Sequence, residues 1–203
     1  MPNSLGLRLE DKDQWERRVV LIPSDVKELT DRGISICVEG TEQRAFSDAS
    51  FAKAGALLVD DARSCELVLG VKEIPVKYFA QDGAYMFFSH TFKGQPYNMK
   101  MLATMVERGC TLIDYELITD DQGARLIFFG RYAGIAGMVD TLWTLGERLK
   151  VLGYNTPFLD IGPTRTYDSL VEVKEAVKKC GERIAAEGLP EPLCPMVSGF
   201  TGY

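Results

Sequence analysis

Leu67-Val68-Leu69-Gly70-Val71-Lys72-Glu73-Ile74-Pro75, with Met86-Phe87-Phe88-Ser89-His90-Thr91-Phe92-Lys93 further on, decides how this chain folds. Each stretch opens on a short apolar run and ends in a residue able to move protons. Leu67-Val68-Leu69 is too short for a helix and reads as a buried strand; Met86-Phe87-Phe88 reads the same way. In an open parallel sheet, ligands sit in the crevice beyond the carboxyl ends of the strands. If these two strands are neighbours, Lys72 and His90 emerge side by side at that edge. A lysine and a histidine across a small pocket suit acid/base work on an amine or a carbonyl. Each has a plainer reading. A lysine just after a strand is ordinarily a solvated charge, and the chain's single histidine could be a hydrogen-bonded core or turn residue. Two such groups at matched strand ends strengthen the chemical reading.

Working outward toward the amino terminus, Leu5, Leu7 and Leu9 alternate with Gly6 and Arg8, a strand pattern. The charged run from Glu10 to Arg18 then leads to Val19-Val20-Leu21-Ile22. Such a run is ordinarily a solvated loop, yet a loop after a first strand opens onto the ligand crevice. Arg18 could offer its planar fork to a substrate carboxylate or simply form a surface salt bridge. Pro23-Ser24-Asp25 starts a helix with Ser24 as N-cap, Val26 and Leu29 as its buried stripe, and Gly33 as its stop. Ile34, Ile36 and Val38 give a strand; Ser47 or Asp48 caps a short helix through Lys53; Ala56 to Val59 is extended again. Strand and helix patterns alternate at α/β spacing, which predicts a mostly parallel sheet.

Beyond His90, Asn98 caps a helix whose Met101, Leu102, Met105 and Val106 form one face, closed by Gly109. Thr111-Leu112-Ile113 is a strand ending in Asp114-Tyr115-Glu116. Those carboxylates could anchor a cationic amine, tune a lysine or pair structurally. Arg125 leads into Leu126-Ile127-Phe128-Phe129. Gly130 to Gly137 resembles a phosphate loop only superficially, because no strand-then-loop-then-helix unit with an acidic residue about twenty positions on follows it, as a dinucleotide site requires. Its small residues are read as letting a helix approach another backbone closely. That helix runs through Met138, Leu142, Leu145, Leu149 and Leu152 to Gly153, apolar on most of its surface and therefore expected to be buried or packed between domains. Asp168 or Ser169 caps an amphipathic helix from Leu170 to about Ala186, and Gly188-Leu189-Pro190-Glu191-Pro192 reads as a linker. Cys194 to Tyr203 reads as one strand turning into a glycine loop, which suggests a truncated piece of a longer protein.

Composition narrows the class. The 203 residues are 46% hydrophobic and 26% charged with a net charge of -6, an ordinary globular balance that argues against a nucleic-acid partner. The five cysteines never take a CxxC spacing and only one histidine is present, so no metal site is expected and reduced thiols in a cytoplasmic protein are the default. No apolar run approaches a membrane span.

Several segments resemble the amino-terminal domain shared by alanine dehydrogenase, transhydrogenase and saccharopine dehydrogenases. They are Leu69-Gly-Val-Lys72-Glu73-Ile-Pro75, Phe87-Phe-Ser-His90-Thr-Phe-Lys93-Gly94-Gln95-Pro96, Ile113-Asp-Tyr-Glu116 and Phe129-Gly-Arg-Tyr-Ala-Gly-Ile-Ala-Gly137. Glu10-Asp-Lys12, Trp15-Glu-Arg-Arg18-Val and Tyr154-Asn-Thr-Pro-Phe158 through Gly162-Pro163 point to the lysine–ketoglutarate reductase branch. The resemblance implies a three-layer α/β domain with a mostly parallel sheet, which closes on a separate Rossmann domain holding NAD or NADP. It divides the chain into a substrate-binding catalytic domain over 1–135, an interdomain helix over 136–153, a loop, helix and linker over 154–192, and the first strand of that Rossmann domain over 193–203.

By the same resemblance Lys72 and His90 are acid/base groups, and Arg18, Lys93, Arg125 and Arg131 bind substrate. Glu73 and Glu116 tune the lysine, while Gly199 and Gly202 belong to the cofactor loop. The implied reaction condenses the ε-amine of lysine with 2-oxoglutarate and reduces the imine to saccharopine, or runs in reverse. The chain alone is expected to hold no cofactor and to be inactive without the cofactor domain. The alternatives are an alanine dehydrogenase-like domain and a stand-alone amino-acid or oxo-acid binding module.

Overall fold

The computed structural model describes residues 3–199, in two compact units, Met1–Phe128 and Phe129–Tyr203. In the first, β1 (Ser4–Leu7), β2 (Ser35–Glu39), β3 (Leu57–Val59), β4 (Leu67–Leu69), β5 (Ala84–Phe87) and β6 (Thr111–Asp114) form a six-stranded sheet in the order β3-β2-β1-β4-β5-β6. Every neighbouring pair is parallel, so the mostly parallel expectation becomes a wholly parallel sheet. The strand order turns between β1 and β4, where such a sheet opens a crevice at its carboxyl edge.

Both faces are covered, which explains the continuous apolar strands. Leu67 and Leu69 of β4 pack with Val26 of α1 (Pro23–Asp31) and Phe51 of α2 (Asp48–Lys53). Val68, on the opposite face, packs with Phe79 and with Met101 and Met105 of α3 (Pro96–Glu107). In β5, Met86 faces the first cluster while Tyr85 and Phe87 face the second. Each fully buried aliphatic side chain here stabilises the unit by about 1.5–3 kcal/mol.

Ser47 caps α2 as expected, accepting the Ser50 N–H at 3.3 Å. The two other expected caps are displaced for one reason. Pro23 and Pro96 each take the first helical position, where a missing N–H costs nothing and φ is already helical. Ile22 and Gln95 are therefore the caps. Ser24 falls inside α1, where Asp25 accepts the Ile22 N–H instead, and Asn98 falls inside the first turn of α3, free to bond elsewhere.

The second unit comprises α4 (Gly130–Val151) and α5 (Leu170–Glu187), the latter capped by Ser169 as expected. Its core contains Val139, Leu149, Phe158, Ile161, Val173 and Cys180. Within this unit α4 buries only Val139, Gly146 and Leu149, far less of its surface than its apolar content predicts. The close approach assigned to its first glycines occurs elsewhere on the helix. A Cβ on Gly134 or Gly137 would meet nothing within 4 Å, whereas one on Gly146 would stand 2.8 Å from the backbone of Phe158. The strand expected over 193–203 is not formed between Cys194 and Gly199; residues 200–203, including Gly202, lie outside the described residues. Among the described residues, no helix is long and apolar enough to cross a membrane.

Candidate active site

The ends of β4 and β5 stay joined past their last strand residues. Gly70 N–H donates to Met86 O at 3.0 Å and Phe88 N–H to Val71 O at 3.2 Å, so Lys72 and His90 leave adjacent points on the carboxyl edge. His90 has φ 51°, in the left-handed region. A non-glycine residue pays roughly 1–2 kcal/mol for this conformation. Its ring stacks on Phe88 at 6.3 Å, and its Nδ1 lies 3.5 Å from Glu116 Oε2. The other oxygen of Glu116 is 3.3 Å from Arg125, whose guanidinium lies over the Phe88 ring at 5.6 Å. The result is a half-exposed sequence of imidazole, carboxylate and guanidinium. Behind it, buried Asp114 accepts the Glu116 N–H at 2.8 Å and the Ser89 hydroxyl. Asn98 donates to Ser89 O at 2.8 Å and to Glu73 at 3.4 Å.

On the Lys72 side the polar residues come from the connection between β1 and α1. Glu10, its side chain 7% exposed, accepts the N–H groups of Val71 at 2.7 Å and Lys72 at 3.0 Å. Burial pushes its carboxyl up, and the two N–H bonds and the charge of Arg8 offset this only in part. Glu16, also buried, takes the fork of Arg18 on both oxygens, from Nε at 2.8 Å and Nη2 at 2.6 Å. Burial opposes its ionisation, but the bonds from Arg18 and the charges of Arg18 and Lys72 hold its carboxyl below the usual range. Glu10, Glu16 and Arg18 line one small cavity together with Arg8, Arg44 and Thr41.

The structure thus brings Lys72, His90, Glu116 and Arg125 to one sheet edge, with Arg18 on the neighbouring connection. Glu73 bonds Lys12 at 2.8 Å, and Glu116 faces His90 and Arg125, so both carboxylates expected beside Lys72 engage other cations. Lys93 is exposed beyond His90; Arg131 is exposed in the first turn of α4, in the second unit; Gly199 is exposed near the carboxyl end. Glu10, Glu16, Ser89 and Asn98 were given no role at the site by sequence reasoning. The available signal was two acids in the connection after a first strand, where polar residues face the crevice.

A dinucleotide site on a sheet of this order needs a glycine turn directly after β1, opening a helix, and an acid at the end of β2 for a ribose. Here β1 runs into the charged connection from Arg8 to Ile22. Glu39, the acid at the end of β2, accepts the N–H groups of Leu9 and Ala62 at 3.0 Å each and the Tyr78 hydroxyl. The carboxyl edge of this sheet does not fit a nicotinamide dinucleotide.

Residues 6–136 match the family model described as alanine dehydrogenase/PNT, N-terminal domain. The chain is 45% identical over 204 residues to the alpha-aminoadipic semialdehyde synthase of Arabidopsis thaliana, an alignment covering 98% of this chain and 19% of that protein. Against the mitochondrial alpha-aminoadipic semialdehyde synthase of Mus musculus the identity is 36% over 198 residues, covering 98% and 21%. Against the NAD(+), L-lysine-forming saccharopine dehydrogenase of Neurospora crassa it is 35% over 207 residues, covering 99% and 54%. The chain therefore spans about a fifth of the first two relatives and about half of the third. Among solved structures, an L-alanine dehydrogenase matches with a TM-score of 0.55 at 23% identity over 71% of this chain and 40% of that one. A transhydrogenase from Sinorhizobium meliloti matches at 0.50 and 16%, over 75% and 46%. At such identities these two likenesses concern the fold alone.

Proposed function

Since the chain belongs to the alanine dehydrogenase/PNT N-terminal domain family, we propose that it is the substrate-side catalytic domain of a saccharopine-metabolising oxidoreductase. Its substrates on this reading are lysine and 2-oxoglutarate, or saccharopine in reverse, with an NAD or NADP nicotinamide carried outside this sheet. The relatives named alpha-aminoadipic semialdehyde synthase and saccharopine dehydrogenase support that branch. The observation that carries it is the joined ends of β4 and β5, which deliver a lysine and a histidine to one edge with a carboxylate 3.5 Å from the imidazole.

In the condensing direction, the lysine ε-amine adds to the keto carbon of 2-oxoglutarate, and loss of water leaves a C=N bond for reduction. His90 takes the proton released by the attacking amine, and Glu116 stabilises the imidazolium that forms. The Lys72 ammonium donates its proton to the departing hydroxyl. Proton transfers of this kind are typically worth about 10²–10⁴-fold each. Arg18 holds a substrate carboxylate, joining or displacing Glu16, and Lys93 and Arg125 add positive charge for a substrate rich in carboxylates. Glu73 acts one step back, keeping Lys12 and Asn98 in place beside Lys72.

Calorimetry of this chain with 2-oxoglutarate, lysine and saccharopine, against Arg18→Ala, tests the reading. 2-Oxoglutarate and saccharopine are expected to bind, and the arginine variant to lose at least about tenfold in affinity, the loss of a charged hydrogen-bonded pair. Binding of pyruvate and alanine in their place would move the chain to the alanine dehydrogenase branch. Binding indifferent to Arg18 would remove that residue from the site. The chain on its own, given saccharopine and NAD or NADP, is expected to show no turnover; measurable turnover would overturn the division of labour.

A further inference from the structure

We propose that Glu10 is the positioning residue for Lys72: its carboxylate bridges the ends of β1 and β4 and fixes the peptide from which the lysine side chain departs. This rests on the acid/base role given to Lys72 above. The regular β1–β4 ladder ends at Leu7 and Leu69, with one further bond from Arg8 N–H to Leu69 O at 3.1 Å. Beyond it, Glu10 continues the pairing with a side chain. One oxygen accepts from Val71 at 2.7 Å and the other from Lys72 at 3.0 Å, across 61 and 62 positions of sequence. From the opposite side, Phe88 N–H holds Val71 O at 3.2 Å. The segment that carries Lys72 is thus gripped from β1 and from β5, although it belongs to no strand.

The carboxylate has a buried cation beside it. Arg8, its side chain 1% exposed, places Nη1 3.9 Å from Glu10 and Nη2 2.6 Å from Asp11, and its guanidinium lies over the Tyr78 ring at 5.0 Å. Gly70 makes room for this arrangement. A Cβ there would stand 3.3 Å from the Arg8 stem and 3.5 Å from Glu10 Oε1. Such bracing matters because proton transfer is steep in distance: a misplacement of about 1 Å can cost roughly 10²-fold.

Glu10→Gln tests the idea, since an amide can accept one of the two N–H groups but turns a donor toward the other. Lys72 would be followed in the 203-residue chain by ¹³C-methylation of its lysines, with its signal identified from Lys72→Arg. Amide exchange of Val71 and Lys72 and calorimetry with 2-oxoglutarate complete the set. The expected result is a displaced Lys72 signal with the other lysines unmoved. Exchange at residues 71 and 72 should rise at least about tenfold above the rest of the sheet, and 2-oxoglutarate affinity should fall at least about tenfold. A purely structural role would instead raise exchange throughout the sheet and leave the Lys72 signal of the folded protein where it was, which would overturn the proposal. Should the glutamine variant fail to fold, Gly70→Ala crowds the Arg8 stem at 3.3 Å and meets the carboxylate itself at 3.5 Å while leaving it chemically intact, and must move the same lysine signal; an unmoved signal there is equally fatal. Wild-type chain that ignores 2-oxoglutarate while the Lys72 signal responds to Glu10→Gln would defeat the substrate assignment and leave the positioning role standing.

Discussion

The two sides of β1 finish their carboxyl ends in opposite ways. On the β2 side, Glu39 is 2% exposed and accepts two backbone N–H groups and the Tyr78 hydroxyl. Arg44 donates to its carbonyl at 2.8 Å, and Arg8 and Arg63 both cover the Tyr78 ring. The Glu39 carboxylate and the Tyr78 hydroxyl are held there by protein partners, while Arg8 Nε and Nη1 beside them are buried without a hydrogen bond. On the β4–β5–β6 side, His90, Glu116 and Arg125 keep 20–40% of their side chains in solvent. Their contacts, at 3.3 and 3.5 Å, are looser than the 3.0 Å bonds around Glu39. One half of the edge is mortar; the other is left able to meet a ligand and change protonation.

That contrast fails most visibly if its buried half proves expendable. Glu39→Ala strands several donors in the interior, and urea unfolding should show a loss of about 3 kcal/mol or more, at roughly 1–3 kcal/mol per unsatisfied group. Glu116→Gln, at the open half, should change stability by no more than about 0.5 kcal/mol while weakening 2-oxoglutarate binding. Equal stability losses in the two variants would erase the distinction.

The two buried acids of the β1–α1 connection sharpen it through pH. Glu10 is raised by burial, so folding takes up a proton in the window just above the ordinary carboxylate range, and its contribution to stability falls as the pH rises through that window. Glu16 is lowered by Arg18 and Lys72 against the cost of burial, so its contribution is complete above the ordinary range and is lost as the pH falls through its depressed value. Unfolding curves across mildly acidic pH should therefore lose the first slope in Glu10→Gln and the second in Glu16→Gln. Slopes of one sign in both would refute the assignment. The smallest effect is expected at Tyr115, whose buried hydroxyl has no hydrogen-bond partner. Tyr115→Phe should leave stability unchanged or raise it by less than about 1 kcal/mol, and a clear loss would mean that the hydroxyl is bonded after all.

Much of this was legible in the sequence, for identifiable reasons. Leu67-Val68-Leu69 and Met86-Phe87-Phe88 read as strands because burial on both faces leaves an unbroken apolar run, and their ends located Lys72 and His90; the second strand stops at Phe87. The caps of the helices that begin at Pro23 and Pro96 were misplaced because a serine or asparagine nearby matched the cap preference while proline had already set the first turn. Gly146 was overlooked in favour of Gly134 and Gly137, since glycine spacing does not say which one meets a neighbour. Glu10 could not be assigned from local pattern at all: its partners lie 61 and 62 positions away, and only tertiary pairing reveals them. The Glu16–Arg18 fork hides for a different reason, as acids two residues from an arginine are commonplace in charged loops.

The grip of residue 10 on residues 71 and 72 also bears on how the molecule acquires competence. A fragment beginning after β1 would retain both proton carriers yet lack what orients one of them. Because β1 must insert between β2 and β4 before that anchor exists, and such distant contacts are slow to close, the chemical environment of the Lys72 amine becomes a gauge of completed folding. During refolding it should reach its native state with the last phase of sheet assembly, after helix content has returned.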